Sequence, residues 1–282
     1  MKLALGLLTG LTTFFAGVIL SDVHTIHKVT YRMRSRKIKK NIKIAVLADL
    51  HGTSFGKGNE KLIRMIDAEK PDIVIMAGDM ISAKLKLDIE AAIDLTSKLS
   101  HKYPVYYGMG NHENFIGEHP EAFDYSLKKL EAQLKKAGAK ILKNKSTYLE
   151  EYGITITGLN LPRRYFKKFG KEAFAEKGIG EWLEDKDDSF EILIGHNPEY
   201  FDQYVKRGSQ LTFAGHLHGG IMRLPKGRGF ISPRFRLFPK YAGGLFKKDG
   251  CKMIVSRGLG THTIPVRVFN PGELVITQLE KY

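Results

Sequence analysis

An α/β fold built on a largely buried sheet follows from three features of this 282-residue sequence. From Ile42 onward, short apolar runs alternate with amphipathic stretches, the signature of strands and helices taken in turn. Each apolar run ends in a polar cluster rich in Gly, Asp, His and Asn, where open α/β sheets gather their functional loops. Hydrophobic residues make up 43%, with 16 Phe and 12 Tyr, which excludes a disordered chain. Domains average roughly 100–200 residues, so the length suits one large domain or two small ones. No internal repeat or Pro/Ser/Gly-rich linker divides the body, which is read as one domain.

Leu3 to Leu20 is an 18-residue run without a charge, preceded only by Lys2. It meets the lower limit for a membrane-spanning helix, about 17–25 apolar residues. Residues 1–41 are therefore expected to be a membrane anchor with a basic juxtamembrane segment, and residues 42–282 the functional domain. A cleaved signal peptide, with export, is the competing reading, but no clear A-x-A site follows the run. A buried core helix would be expected to carry a polar face, and this stretch has none. Seven Lys/Arg between Ser21 and Lys40 then place the body on the cytoplasmic side and against anionic headgroups.

Strands are predicted at Ile42–Ala48, Asp72–Ala77, Val105–Met109, Ile154–Leu159, Glu191–Gly195 and Leu211–Ala214. Helices are predicted at Asn59–Glu69, Leu87–Leu99 and Pro120–Ala137. In the last of these Phe123, Leu127, Leu130 and Leu134 recur at three- and four-residue spacing and face the core. The final third changes character, with strands expected at Lys252–Ser256, Val266–Phe269 and Glu273–Leu279.

The formal charge of +15 is local. Lys28 to Lys43 holds eight basic residues and no acid, Arg223 to Lys248 holds eight more and no acid, and the rest of the chain nets −1. The single cysteine, Cys251, excludes an intrachain disulfide and a thiolate zinc site. Chemistry must run on His, Asp, Glu, Asn or Ser.

Five strand ends share one residue vocabulary: Ala48-Asp49-Leu50-His51-Gly52, Ala77-Gly78-Asp79-Met80, Gly108-Met109-Gly110-Asn111-His112-Glu113, Gly195-His196-Asn197-Pro198 and Gly215-His216-Leu217-His218-Gly219-Gly220. Each cluster is weak alone, since Gly-Asp is often a turn and a lone His often a satisfied polar residue. Together they point to a metal site of oxygen and imidazole donors. In extended backbone, Asp49-x-His51 and His216-x-His218 would each point both side chains to one face.

The ordered set D-x-H, G-D, G-N-H-E, G-H, G-H-x-H closely resembles the calcineurin-like metallophosphoesterase superfamily, from about Ile42 to the C-terminus. Ala48-Asp49-Leu50-His51 and Ser256-Arg257-Gly258-Leu259-Gly260 resemble its bacterial membrane- or wall-associated phosphodiesterase branch, which includes UDP-diacylglucosamine pyrophosphatase-like members. The resemblance implies a four-layer αββα sandwich of two sheets flanked by helices, with a dinuclear centre at the strand ends. It implies one metal on Asp49, His51, Asp79 and His218, and another on Asp79, Asn111, His196 and His216. It gives His112 to substrate contact and the leaving group, and Glu113 is assigned to orienting its loop. Two divalent cations against two carboxylates leave a net +2, or +1 with a bridging hydroxide, which favours an anionic phosphoester in an in-line displacement. Mixed nitrogen and oxygen ligation suits Mn, Zn or Fe.

The second basic cluster interleaves Phe230, Phe235, Phe238, Tyr241 and Phe246 with its charges, and a similar patch runs Arg163-Arg164-Tyr165-Phe166-Lys167-Lys168-Phe169. Such patches grip phosphate and lipid or stack on nucleotide bases. The alternative is a solvated surface with its aromatic rings turned into the core. The function expected is a phosphodiesterase or pyrophosphatase acting on a lipid- or nucleotide-linked phosphoester at a membrane surface. The runner-up is a nuclease or cyclic-nucleotide phosphodiesterase, which would make nucleic acid a partner and its binding strongly salt-dependent. Gly78-Asp79-Met80-Ile81-Ser82 lacks the Val-Asp-Arg-Gly continuation of Ser/Thr protein phosphatases. A non-enzymatic scaffold on the same fold would be expected to lose ligands, and none is missing.

Overall fold

The computed structural model describes residues 2–83, 87–166, 174, 176–224, 229–231, 237–261 and 265–282. The chain opens with α1 (Lys2–His24) and β1 (Ile26–Ser35), followed by β2 (Ile42–Leu47), α2 (Glu60–Glu69) and β3 (Ile73–Ala77). Next come the short pair β4 (Ser82–Ala83) and β5 (Leu87–Asp88), then α3 (Glu90–Ser100), β6 (Val105–Gly108), α4 (Asn111–Glu118), α5 (Leu127–Lys136) and β7 (Ala139–Leu142). The second half holds β8 (Lys145–Leu149), β9 (Ile154–Leu159), β10 (Phe190–Gly195), α6 (Phe201–Arg207) and β11 (Leu211–Ala214). It ends with β12 (Met222–Arg223), β13 (Gly229–Ile231), β14 (Gly244–Lys248), β15 (Cys251–Val255) and β16 (Gly272–Lys281).

Two six-stranded sheets result, ordered β1-β16-β2-β3-β6-β7 and β14-β15-β11-β10-β9-β8. The pairs β2·β3, β3·β6, β9·β10 and β10·β11 are parallel, so the loops leaving β2, β3, β6, β10 and β11 emerge at the carboxyl ends of parallel strands. One apolar cluster lies between the sheets: Ile44, Val46, Ile75 and Val275 from the first meet Ile156, Ile192, Ile194 and Phe213 from the second. Leu62 and Ile66 of α2, Leu95 and Leu99 of α3 and Leu130 and Leu134 of α5 cover the outer face of the first sheet. Phe201 and Tyr204 of α6 cover the second. Helices, sheet, sheet and helices make the four expected layers. Strands buried on both faces read as continuous apolar runs, which is why β3 and β10 stood out in the sequence.

Several expectations change. Leu87 and Asp88 form the short strand β5 rather than the start of a helix, and the helix expected at Pro120–Ala137 is a 3₁₀ turn, Pro120–Ala122, followed by the shorter α5. The boundary at Ile42 cuts through the first sheet, because β1 pairs in parallel with β16 along its whole length, from Ile26 opposite Gly272 to Ser35 opposite Lys281. Its side chains alternate: Val29, Tyr31 and Met33 are partly or fully buried while Lys28, Thr30, Arg32 and Arg34 are exposed. The basic run is the outer row of an edge strand, where charge discourages pairing with another chain. Many of its cations have partners within the fold, Lys28 with Glu69, Arg34 with Glu280, Lys40 with Glu151, and Lys37 with the Asp188 carbonyl.

The N-terminal run does form a helix, α1, but among the described residues no helix is long and apolar enough to cross a membrane. Three Gly and three Thr dilute it, and the Thr12 and Thr13 hydroxyls turn back onto the Thr9 carbonyl at 2.9 Å. Finally, Val266–Phe269 is not a strand. It contributes one isolated bridge, Val268 with Met222.

Candidate metal centre

The five polar clusters converge. Ligand atoms of Asp49, His51 and His218 lie within 4.8 Å of one another, as do those of His51, Asp79 and His112 and those of Asp79, His196 and His216. Asn111, the first residue of α4, precedes His112 and carries a side-chain oxygen that is buried and has no hydrogen-bond partner. Seven of the eight residues named from the sequence thus lie in one cluster at the sheet ends, and Asn111 is next to it in the chain.

The local backbone differs from the extended geometry anticipated for D-x-H and H-x-H. Asp49, His51, Asp79, His216 and His218 all have positive φ, between 48° and 70°. Left-handed backbone costs non-glycine residues energy and persists only where the surroundings impose it. Here Asp49 N–H donates to the Gly78 carbonyl at 3.0 Å and His51 N–H to the Asp79 carbonyl at 3.1 Å. Each pair of ligands converges through a turn of left-handed residues, with Leu50 and Leu217 buried between them. A glycine is required beside them: a Cβ on Gly110 would stand 2.2 Å from Asp79 Oδ1.

The hydrogen bonds sort the imidazoles. His196 Nδ1–H donates to the Ala77 carbonyl at 2.8 Å, and His218 Nδ1–H to the Gly260 carbonyl at 3.3 Å. Each ring therefore turns the Nε2 lone pair inward, as metal-binding histidines do. His112 is reversed. Its Nδ1 accepts from Ala83 N–H at 3.0 Å, so its Nε2 carries the hydrogen. That ring can donate a hydrogen bond into the site, but in this tautomer it cannot ligate through Nε2.

The donor set fits cations. His51 Nε2 and His218 Nε2 stand 3.0 Å apart, and His196 Nε2, buried and without a hydrogen-bond partner, is 3.1 Å from Asp79 Oδ2. Lone pairs face lone pairs across these gaps, an arrangement that needs a proton or a cation between them. Without metal, protons take that place. Burial works against a charged His196, yet Asp79 and Asp49 outweigh it and raise its pKa to about 10. Burial also lifts Asp49 to about 7, with repulsion from Asp79 opposing the pull of His196. Asp79 is equally buried, but His196, His112 and His51 together hold it well below the usual carboxylate range.

Glu113 orients the loop, as anticipated. Fully buried, it accepts from the backbone N–H of Asp79, Met80 and Gly110 at 3.0, 3.0 and 2.9 Å and from the Tyr107 hydroxyl at 2.7 Å. The aromatic patches divide. Tyr165 and Phe166 turn into the core that covers the second sheet, and the Phe166 ring also lies 5.3 Å from the His216 ring, walling one side of the site. Leu237 and Phe238 are exposed. Lys167, Lys168, Phe169, Lys226, Arg228, Arg234, Phe235 and Arg236 lie outside the described residues. Arg267 and Asn270, behind the Gly215–Gly220 loop, were not singled out, and a lone Arg in an apolar stretch gave no signal for them.

A buried cluster of Asp, His and Asn at the carboxyl ends of two packed sheets defines a metal-dependent hydrolase. The chain belongs to the calcineurin-like phosphoesterase family, whose profile matches residues 42–220, and it is a phosphoester hydrolase. It is 25% identical to an uncharacterized metallophosphoesterase of Aquifex aeolicus, over 89% of this chain and 90% of that protein. It is 29% identical to one of Campylobacter jejuni over 86% of this chain, which spans 60% of that relative's length. It is 24% identical to the phosphodiesterase YaeI of Escherichia coli, covering 78% and 75% of the two chains.

Proposed function

We propose that this phosphoester hydrolase is a two-metal phosphodiesterase or pyrophosphatase whose substrate carries its phosphoester on a lipid or a nucleotide at a membrane surface. The carrying observation is that two lone-pair gaps meet at one carboxylate oxygen: Asp79 Oδ2 is 3.1 Å from His196 Nε2 and 3.9 Å from His51 Nε2. Asp49, His51, Asp79 and His218 would hold one cation and Asp79, Asn111, His196 and His216 the other, with Mn, Zn or Fe suited to such donors. When bound, paired divalent cations neutralise phosphoryl charge and lower the pKa of water toward neutrality.

The chain's own groups supply the rest. His112, fixed by Ala83 N–H, would donate a hydrogen bond from Nε2–H to the leaving oxygen and so stabilise the charge that develops there. Phe166 keeps water from one flank, so that charges across the site act at low dielectric. The likeness to a protein named as a phosphodiesterase supports a diester over a monoester.

Helix α1 supports the membrane location. Leu7, Leu11, Phe14 and Leu20 are each more than half exposed, an apolar surface of the kind that marks a lipid or protein contact. The Phe14 and Phe15 rings lie 6.5 and 6.4 Å from that of Phe269, one residue from Asn270 and the site's loops.

Hydrolysis of a chromogenic bis-phosphodiester and of the matching monoester, with Mn²⁺ and with chelator, tests the reaction. Metal-dependent turnover of the diester is expected, and turnover of the monoester alone would overturn the diester reading. Flotation with anionic vesicles tests the location: the full chain should float and a Leu11→Asp, Phe14→Asp variant should not. Equal flotation of both would remove α1 from the account.

A further inference from the structure

Between β15 and β16 the chain crosses behind the metal centre, and two polar side chains there are almost wholly withdrawn from solvent. Arg267 is 2% exposed and Asn270 0%. A buried guanidinium is costly unless its donors are satisfied. Arg267 Nη2 donates to the carbonyls of Arg257, Gly258 and Gly260 at 3.0, 3.2 and 2.5 Å, and Nη1 to the Asn270 carbonyl at 3.0 Å. Asn270 Nδ2 donates to the carbonyls of His218 and Gly220 at 2.7 and 2.6 Å. Asp22 of α1 accepts from Asn270 N–H at 2.8 Å.

Both loops held in this way lead to candidate ligands. Leu259 N–H donates to the Ala48 carbonyl at 3.0 Å and Gly260 N–H to that of Asp49 at 2.7 Å, so the 257–260 loop braces the turn that carries Asp49. Gly258 lies so close that a Cβ on it would come 2.8 Å from Asp49 Cβ. The Gly260 carbonyl, gripped by Arg267, accepts the His218 Nδ1–H. His196 is anchored from a different direction, through the Ala77 carbonyl at the end of β3.

We infer that Arg267 and Asn270 are positioning residues that clamp the Asp49–His51–His218 half of the centre, so that their loss weakens one metal position selectively. The inference rests on the two-metal reading above. Carbonyl partners fix the tautomer and direction of a ligating imidazole, and losing such outer partners typically costs about 10–100-fold in metal affinity.

The test is calorimetric titration of the metal-free full chain with Mn²⁺, alongside electron paramagnetic resonance of the loaded protein. The unmodified chain should take up two equivalents and show an exchange-coupled signal. Asn270→Ala should keep one equivalent at unchanged affinity, weaken the other about 10–100-fold, and show the six-line signal of isolated Mn²⁺ at one equivalent. Arg267→Ala should behave as Asn270→Ala does, and Arg267→Lys, which keeps the charge and part of the donor set, should fall between the unmodified chain and Asn270→Ala and stands in for Arg267→Ala if that variant does not fold. Fewer than two equivalents in the unmodified chain would overturn the two-metal reading. Two equivalents there, with both positions weakened alike in Asn270→Ala or neither changed, would overturn the clamp alone.

Discussion

The two sheets contribute to the candidate metal centre in different ways. The first supplies both carboxylates and the amide, Asp49, Asp79 and Asn111, together with His51, on turns after β2, β3 and β6. The second supplies only imidazoles, His196, His216 and His218, on turns after β10 and β11. Charge is concentrated on one side and neutral nitrogen donors on the other. Their supports differ in kind as well. Glu113 secures the Asp79 turn through three backbone N–H groups, whereas His196 and His218 are aimed by backbone carbonyls. The sheet with the carboxylates is therefore expected to govern whether metal binds at all, and the sheet with the histidines to govern how each position is shaped.

Breaking that comparison at its strongest point should have the largest effect. Asp79→Asn keeps the volume but removes the carboxylate whose Oδ2 lies 3.1 Å from His196 Nε2 and 3.9 Å from His51 Nε2. Both metal positions should be lost, and turnover should fall by about 10³-fold or more, since metal supplies several kcal/mol of transition-state stabilisation. His196→Ala, on the other sheet, should lose one equivalent and keep the other. Metal analysis of the two variants side by side decides the matter, and equal losses would erase the distinction between the sheets.

His112 sharpens the comparison because it sits among ligands without the geometry of one. His112→Ala should lower turnover about 10²–10³-fold, the range for a lost hydrogen-bond donor to developing charge, with metal content unchanged. The fall should be smaller for a substrate whose leaving group spreads its own charge, such as a nitrophenyl ester. Loss of a metal equivalent in this variant would place His112 among the ligands.

Much of this site was legible in the sequence because its parts are local. An Asp, His or Asn next to a glycine at the end of an apolar run is a short pattern, and five of them in order point to seven candidate ligands and His112. The strands between them, buried on both faces, read as apolar runs for the same reason. What escaped was non-local. β1 is a strand because β16, some 240 positions away, lies beside it; in the sequence its outward Lys and Arg looked like a topology signal. Arg267 and Asn270 matter through carbonyls, which every residue carries, so no side-chain pattern announces their partners. The left-handed turns at Asp49 and His216 were likewise hidden, because strand alternation and such a turn both bring positions i and i+2 together.

The smallest expected effect is a pH dependence that sets the two sheets against each other in the metal-free protein. Folded Asp49 holds its proton to about pH 7, while an unfolded Asp releases it near the ordinary value of 3.8. Folded His196 holds its proton to about 10 against 6.5. In both intervals the folded state binds more protons, so stability falls as pH rises through them. Asp79 acts in the opposite sense, but only at the acid end, where its contribution is lost as pH falls below the ordinary carboxylate range. With chelator present, the melting temperature should therefore decline by a few degrees between about pH 6 and pH 9, on the scale of roughly 2–4 °C per kcal/mol for a domain of this size. Saturating Mn²⁺ should reverse the trend, because cations displace these protons and bind more tightly once the protons are gone. The gap between chelated and loaded melting curves should thus widen with pH, and Asp49→Asn should flatten its lower half while His196→Gln flattens its upper half. A gap independent of pH would mean that protons do not occupy the positions assigned to the metals.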